Sequence, residues 1–136
     1  MSEGLLDTNI FVHARTTDEH SVECRTFLRM LSDDRIQAHL DPLVVHELTY
    51  VLPRYVKQAG RAETAAYLIS ILGWPGVIAD KPILVEALSR WGATPGLGFV
   101  DAYLAARALA ESRSIYTKNV RELANCGATV PNPLPT

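Results

Sequence analysis

Cysteine is scarce in this chain. Cys24 and Cys126 are the only two in 136 residues, which excludes a disulfide framework, and no CxxC pair suggests a redox or zinc site. Long hydrophobic runs are missing as well: charges interrupt every apolar stretch before the roughly 18 residues of a membrane span. The opening Met1-Ser2-Glu3-Gly4 is acidic and lacks the basic-then-apolar layout of a signal peptide. Positive charge is not in excess, since 13 Lys and Arg face 15 Asp and Glu for a net charge of −2. A protein that holds nucleic acid mainly by neutralising phosphates is normally basic. Any nucleic acid here is therefore expected to be held weakly, through a local basic rim, or through metal ions. No repeat or low-complexity tract occurs, and the one Pro-rich stretch, Pro131-Asn132-Pro133-Leu134-Pro135, is expected to run extended. Together these absences predict a cytoplasmic chain with reduced thiols.

What is present is an ordinary globular composition, 48% hydrophobic and 21% charged. A chain near this length buries roughly 68–70% of its unfolded surface, enough for one hydrophobic core. Short strands are expected at Gly4-Leu5-Leu6, Ile36–Leu40, Val77-Ile78-Ala79, Ser114-Ile115-Tyr116 and Ala128-Thr129-Val130. Helices are expected over Ser21–Leu31 (on Val22, Phe27, Leu28 and Leu31), from Asp41-Pro42 to a stop at Gly60, over Ala62–Leu72, from Asp80 to Trp91-Gly92, and over Phe99–Glu111. Pro53 should kink or interrupt the second of these. Strands alternating with helices predict an α/β fold, a single α/β/α sandwich with a central, mostly parallel sheet. Such sheets bind ligands outside the carboxyl ends of their strands.

Acids fall where that rule places chemistry. Asp7 follows the first strand, where it can also be a turn or helix-capping residue. Glu47 is spaced four residues from both Leu43 and Val51, which predicts a carboxylate turned into an apolar stripe. A glutamate there needs a partner, either a metal ion or a buried arginine. Asp101 opens the Phe99 helix; it can serve the helix dipole, but its stripe continues through Leu104, Ala105 and Ala108. Thr117 ends the Ser114-Ile115-Tyr116 segment, with Asn119 two residues on. Carboxylates that converge repel one another, and a hard divalent cation with oxygen ligands relieves the repulsion.

Leu5-Leu6-Asp7-Thr8-Asn9-Ile10-Phe11-Val12, His46-Glu47-Leu48-Thr49-Tyr50-Val51-Leu52, Phe99-Val100-Asp101-Ala102-Tyr103-Leu104 and Ile115-Tyr116-Thr117-Lys118-Asn119 resemble, in order, the four motifs of PIN-domain ribonucleases. The resemblance implies one PIN-like domain over 1–136, with 131–136 as an extended tail, and Mg²⁺- or Mn²⁺-dependent cleavage of RNA. At this length it is most similar to VapC-type toxins of bacterial toxin–antitoxin pairs, which implies a small antitoxin partner. Asp7, Glu47 and Asp101 would then be the catalytic and metal-binding acids, with Asn9, Thr117 and Asn119 in support. Asn119 departs from the aspartate that many members carry, which puts a second metal in question.

The remaining candidates are less specific. His13, Arg15 and Lys118 are positioned to touch RNA phosphate or to be solvated. His20 and Cys24 lie one helical turn apart, but two ligands do not make a zinc site; His39 and His46 are expected on the surface or in packing. Arg54, Lys57 and Arg61 read as a basic patch, and Tyr50, Tyr55 and Tyr67 as interface residues. Apolar, alanine-rich helices suggest a homodimer. Two other functions fit parts of the pattern. One is an aspartyl-phosphate phosphatase, although Asn9 stands where its second acid belongs; the other is a PIN-like module that binds RNA or protein without cutting.

Overall fold

The computed structural model describes residues 3–56 and 59–136, so Lys57 of the anticipated basic patch lies outside the described residues. The elements run β1 (Gly4–Leu5), α1 (Thr8–Arg15), α2 (Ser21–Ser32), β2 (Ala38–His39), α3 (Pro42–Tyr55), α4 (Arg61–Leu72), β3 (Val77–Ile78), α5 (Lys81–Ala93), α6 (Phe99–Glu111) and α7 (Val120–Asn125). The three strands are parallel in the order β1-β2-β3. Gly4 pairs with Ala38 and Leu5 with His39; Ala38 pairs in turn with Val77 and His39 with Ile78. The ladder extends to Leu6 N, which donates to His39 O at 2.9 Å, and to Leu40 N, which donates to Ile78 O at 2.9 Å. Parallel strands covered by helices give the expected α/β/α class. No helix among the described residues is long and apolar enough to cross a membrane.

Capping chemistry sets the helix starts that matter here. Asp7 and Asp41 each follow a strand and cap the next helix, Asp7 accepting from Thr8 N at 2.9 Å and Asp41 from Leu43 N at 2.8 Å. Pro42 then fits the first turn of α3, where a missing N–H costs nothing. α5 packs between α4 and α6 through fully buried Leu68, Ile71, Leu84, Leu88 and Ala102. A β-carbon on Gly92 would lie 2.7 Å from that of Ala65, so glycine is what lets α4 and α5 approach. Arg61 ties the same corner together, donating to Trp91 O at 2.9 Å and Leu97 O at 2.5 Å, with its guanidinium over the Trp91 ring.

Several expectations need correction. α3 ends at Tyr55, two residues past Pro53, and Gly60 caps the start of α4 instead of stopping α3. Arg61 is spent on α5 and the following loop, so it does not join a free basic patch with Arg54. Ser114–Tyr116 and Ala128–Val130 are not strands; one hydrogen bond, Ile115 N to Thr129 O at 2.9 Å, joins them. Three expected stripes keep most of their residues, Leu28 and Leu31, Leu48 and Leu52, and Ala105 and Ala108, but each loses one position. Val22, Leu43 and Leu104 are exposed, at 69%, 77% and 42%. The buried stripes are Ser21-Cys24-Leu28-Leu31, Val45-Leu48-Thr49-Leu52 and Ala102-Ala105-Ala106-Ala108. α1 and α7 were not anticipated as helices.

Candidate active site

Asp7 is exposed at the carboxyl end of β1 and held by its own capping bond. Its helix α1 packs on α3, which carries Glu47, and α3 packs on α6, which carries Asp101. His46, next to Glu47, stacks on Phe99 with ring centroids 6.0 Å apart and planes at 17°. That contact brings the middle of α3 to the first residue of α6, two before Asp101. Glu47 itself is half-buried at the edge of the Val45-Leu48-Leu52 stripe, not within it. The spacing from Leu43 misled because Leu43 points to solvent.

The closest pairing at the site joins α6 to α7. Asn119 Nδ2 donates to Asp101 Oδ2 at 2.9 Å, and Asn119 N donates to Thr117 Oγ1 at 2.9 Å. Thr117 thus fixes the turn, and the turn aims the amide at Asp101. Asn9 is exposed on the first turn of α1, and Lys118 is exposed beside Asn119. The other phosphate candidates have neighbours of their own, His13 a carboxylate and Arg15 an aromatic ring. His13 Nδ1 pairs with Asp18 Oδ2 at 2.7 Å, and Arg15 lies over the Tyr67 ring at 4.5 Å. The hydrogen bond from His13, backed by His20 N, holds the Asp18 carboxyl down to about 2.

Two observations bear on whether these residues suit a hard divalent cation. None of Asp7, Glu47 and Asp101 forms an ion pair among the described residues, so the arginine partner considered for Glu47 is not there. Thr8 Oγ1 and His46 Nδ1, chain neighbours of Asp7 and Glu47, are buried without a hydrogen-bond partner; such orphans cost about 1–3 kcal/mol unless water or a ligand satisfies them. Unpaired carboxylates with an amide oxygen nearby are the donor chemistry a hard cation takes. As the side chains stand, however, no three His, Cys, Asp or Glu among the described residues are gathered closely enough to hold a metal.

A cavity of about 430 Å³ that the sequence did not disclose opens beside the site. Asp41, Leu43, His46, Val100, Leu104 and Arg107 are among its lining residues. Leu43 and Leu104 sit at apolar helical spacings, and periodicity alone cannot tell an exposed apolar face from a core one. No curated protein matches the chain. The sequence model of the PIN domain matches residues 4–124, a span holding all four motifs, and PIN domains are generally nucleases that use divalent metals. The chain therefore belongs to the PIN-domain family, a fold of nuclease type.

Proposed function

We propose that the chain, as one domain over 1–136, is a divalent-metal-dependent endoribonuclease and the cytoplasmic toxin of a toxin–antitoxin pair. The observation that carries this reading is Asp101 held by Asn119 at 2.9 Å, with Asp7 and Glu47 on adjoining elements and, among the described residues, no cation paired to any of the three acids. Asp7, Glu47 and Asp101, with Asn119 Oδ1, would hold Mg²⁺ or Mn²⁺, which activates water and binds the phosphodiester for in-line attack. Asp7 is oriented by its bond to Thr8 N. Asn119 occupies one oxygen of Asp101 and leaves the other for a ligand. Thr117 orders the turn that makes this possible, and Asn9 lies in reach of a solvent ligand on the first turn of α1. An acidic centre of this kind invites a small antitoxin that inserts Arg or Lys against Glu47 and Asp101. Exposed Leu43, Val100 and Leu104 around one cavity supply an apolar face for a homodimer.

The absence of a gathered three-acid group among the described residues, with Asn119 in place of an acid, favours one rival, an RNA-binding module that does not cut. Cleavage decides between them. Purified protein should cut RNA in Mn²⁺ or Mg²⁺, stop in EDTA, and leave p-nitrophenyl phosphate untouched. Asp101→Asn should lose cutting by at least about a hundredfold while its circular dichroism stays native. RNA that is bound but never cut would establish the module instead.

A further inference from the structure

At the opposite end of α1 from Asp7, Arg15, Arg25 and Arg29 line an open cleft of about 380 Å³ with Tyr67 and Trp74. No acid lines it. Elsewhere, the Arg90, Arg107 and Arg113 side chains are paired to glutamates and Arg61 is bound to backbone carbonyls, while Arg35, Arg54 and Arg121, also without an ion pair among the described residues, are not part of this cleft. Arg15, Arg25 and Arg29 form no ion pair among the described residues. Arg25 is steadied by long bonds to Ala14 O and Thr16 O, at 3.3 and 3.4 Å, and Arg29 is exposed. In a chain of net charge −2, three guanidinium groups without counter-charges in one concavity make a local positive field opposed to the overall balance.

Guanidinium forks match phosphate oxygens bidentately, and the half-exposed Trp74 ring beside them suits a stacked base more than an acidic peptide, while the Tyr67 ring already carries Arg15. Arg15 ends the eight-residue α1 that Asp7 caps, so a rise of about 1.5 Å per residue separates cleft and acids by about 12 Å along the helix. That is within reach of a strand a few nucleotides long. We infer that this cleft is an exosite for single-stranded RNA, holding backbone phosphates that flank the bond presented to the acids. The inference rests on the nuclease reading and names the surface that compensates for an acidic chain.

The test is equilibrium binding of a labelled single-stranded RNA of about twelve nucleotides, read by fluorescence anisotropy across a salt series in EDTA, where cleavage plays no part. Each lost phosphate contact lowers the slope of log K against log salt by about 0.7. Arg25→Gln with Arg29→Gln should weaken binding about tenfold and reduce the slope by about 1.4. Arg29→Gln alone, which disturbs no hydrogen bond, should reduce it by about 0.7, and Arg29→Lys should restore it. Unchanged affinity and slope in Arg29→Gln and in a natively folded double variant would overturn the exosite. So would a poly-glutamate peptide that binds as tightly as the RNA with the same dependence on Arg29, since that assigns the cleft to a protein partner. If the variants show the predicted losses in EDTA but wild type never cuts in Mn²⁺, the exosite stands and the nuclease reading falls. Wild type that cuts while its binding ignores these arginines does the reverse.

Discussion

Asn119 is one oxygen short of an aspartate, and its amide proton is what the site uses instead. By donating to Asp101 Oδ2 it neutralises no charge but fixes a carboxylate that has no cation partner among the described residues. Asn119→Asp replaces that donor with a like charge, which disfavours ionisation of the pair without metal. Metal-free Asn119→Asp should therefore melt lower than wild type, and its Mn²⁺ affinity by calorimetry should rise. Lower affinity would mean that position 119 faces away from the ion. A second residue with a defined pH response is Asp18, held by His13 at about 2 against an ordinary 3.8. A depressed carboxylate stabilises the fold fully above 3.8 and loses that contribution as pH falls through about 2. The α1–α2 turn should thus survive to about pH 3, with the Asp18 carboxyl carbon titrating near 2 by NMR; titration near 3.8 would contradict the His13 bond. Strand-end aspartates were legible in the sequence because a cap needs a short acid or amide followed by helix formers. The setting of Glu47 was not, because its phase was taken from Leu43, which is exposed.

Helices of twelve to fourteen residues were readable because three or more turns repeat the apolar period. α7 was not, as six residues with one buried leucine carry no period. α1 hid for a similar reason, with Phe11 and Ala14 its only buried apolar side chains. The strands are two residues each, shorter than their apolar runs, so their existence was legible and their limits were not. Ser114–Tyr116 reads as a strand and its Ile115 is buried, yet a single hydrogen bond falls short of a ladder. Packing between elements leaves almost no trace in one sequence. Gly92 looks like a helix end, but its role is contact with Ala65 across α4 and α5. Gly92→Ala should cost about 1–3 kcal/mol through overpacking despite the better helix propensity of alanine. With roughly 2–8 °C per kcal/mol, differential scanning should show a clear drop in Tm. A rise would mean that α4 and α5 have room to spare.

Across the whole molecule, charge is sorted along α1. Among the described residues, acids without an ion pair stand at its amino end and on α3 and α6, and arginines without an ion pair stand at its carboxyl end. The central claim is that Asp7 belongs to a metal centre and not merely to a helix cap. Asp7→Asn separates the two roles, because asparagine caps a helix about as well as aspartate but carries no charge for a cation. Asp41→Asn is the matched control, a strand-end cap on α3 outside the proposed ligand set. The deciding measurement is the shift in Tm on adding Mn²⁺ after EDTA. A ligand at a hundred times its dissociation constant stabilises the fold by about 2.7 kcal/mol, which moves Tm by roughly 5 °C or more at this size. Wild type and Asp41→Asn should both show that shift, and Asp7→Asn should lose most of it. An undiminished shift in Asp7→Asn would reduce Asp7 to a cap and contradict the account.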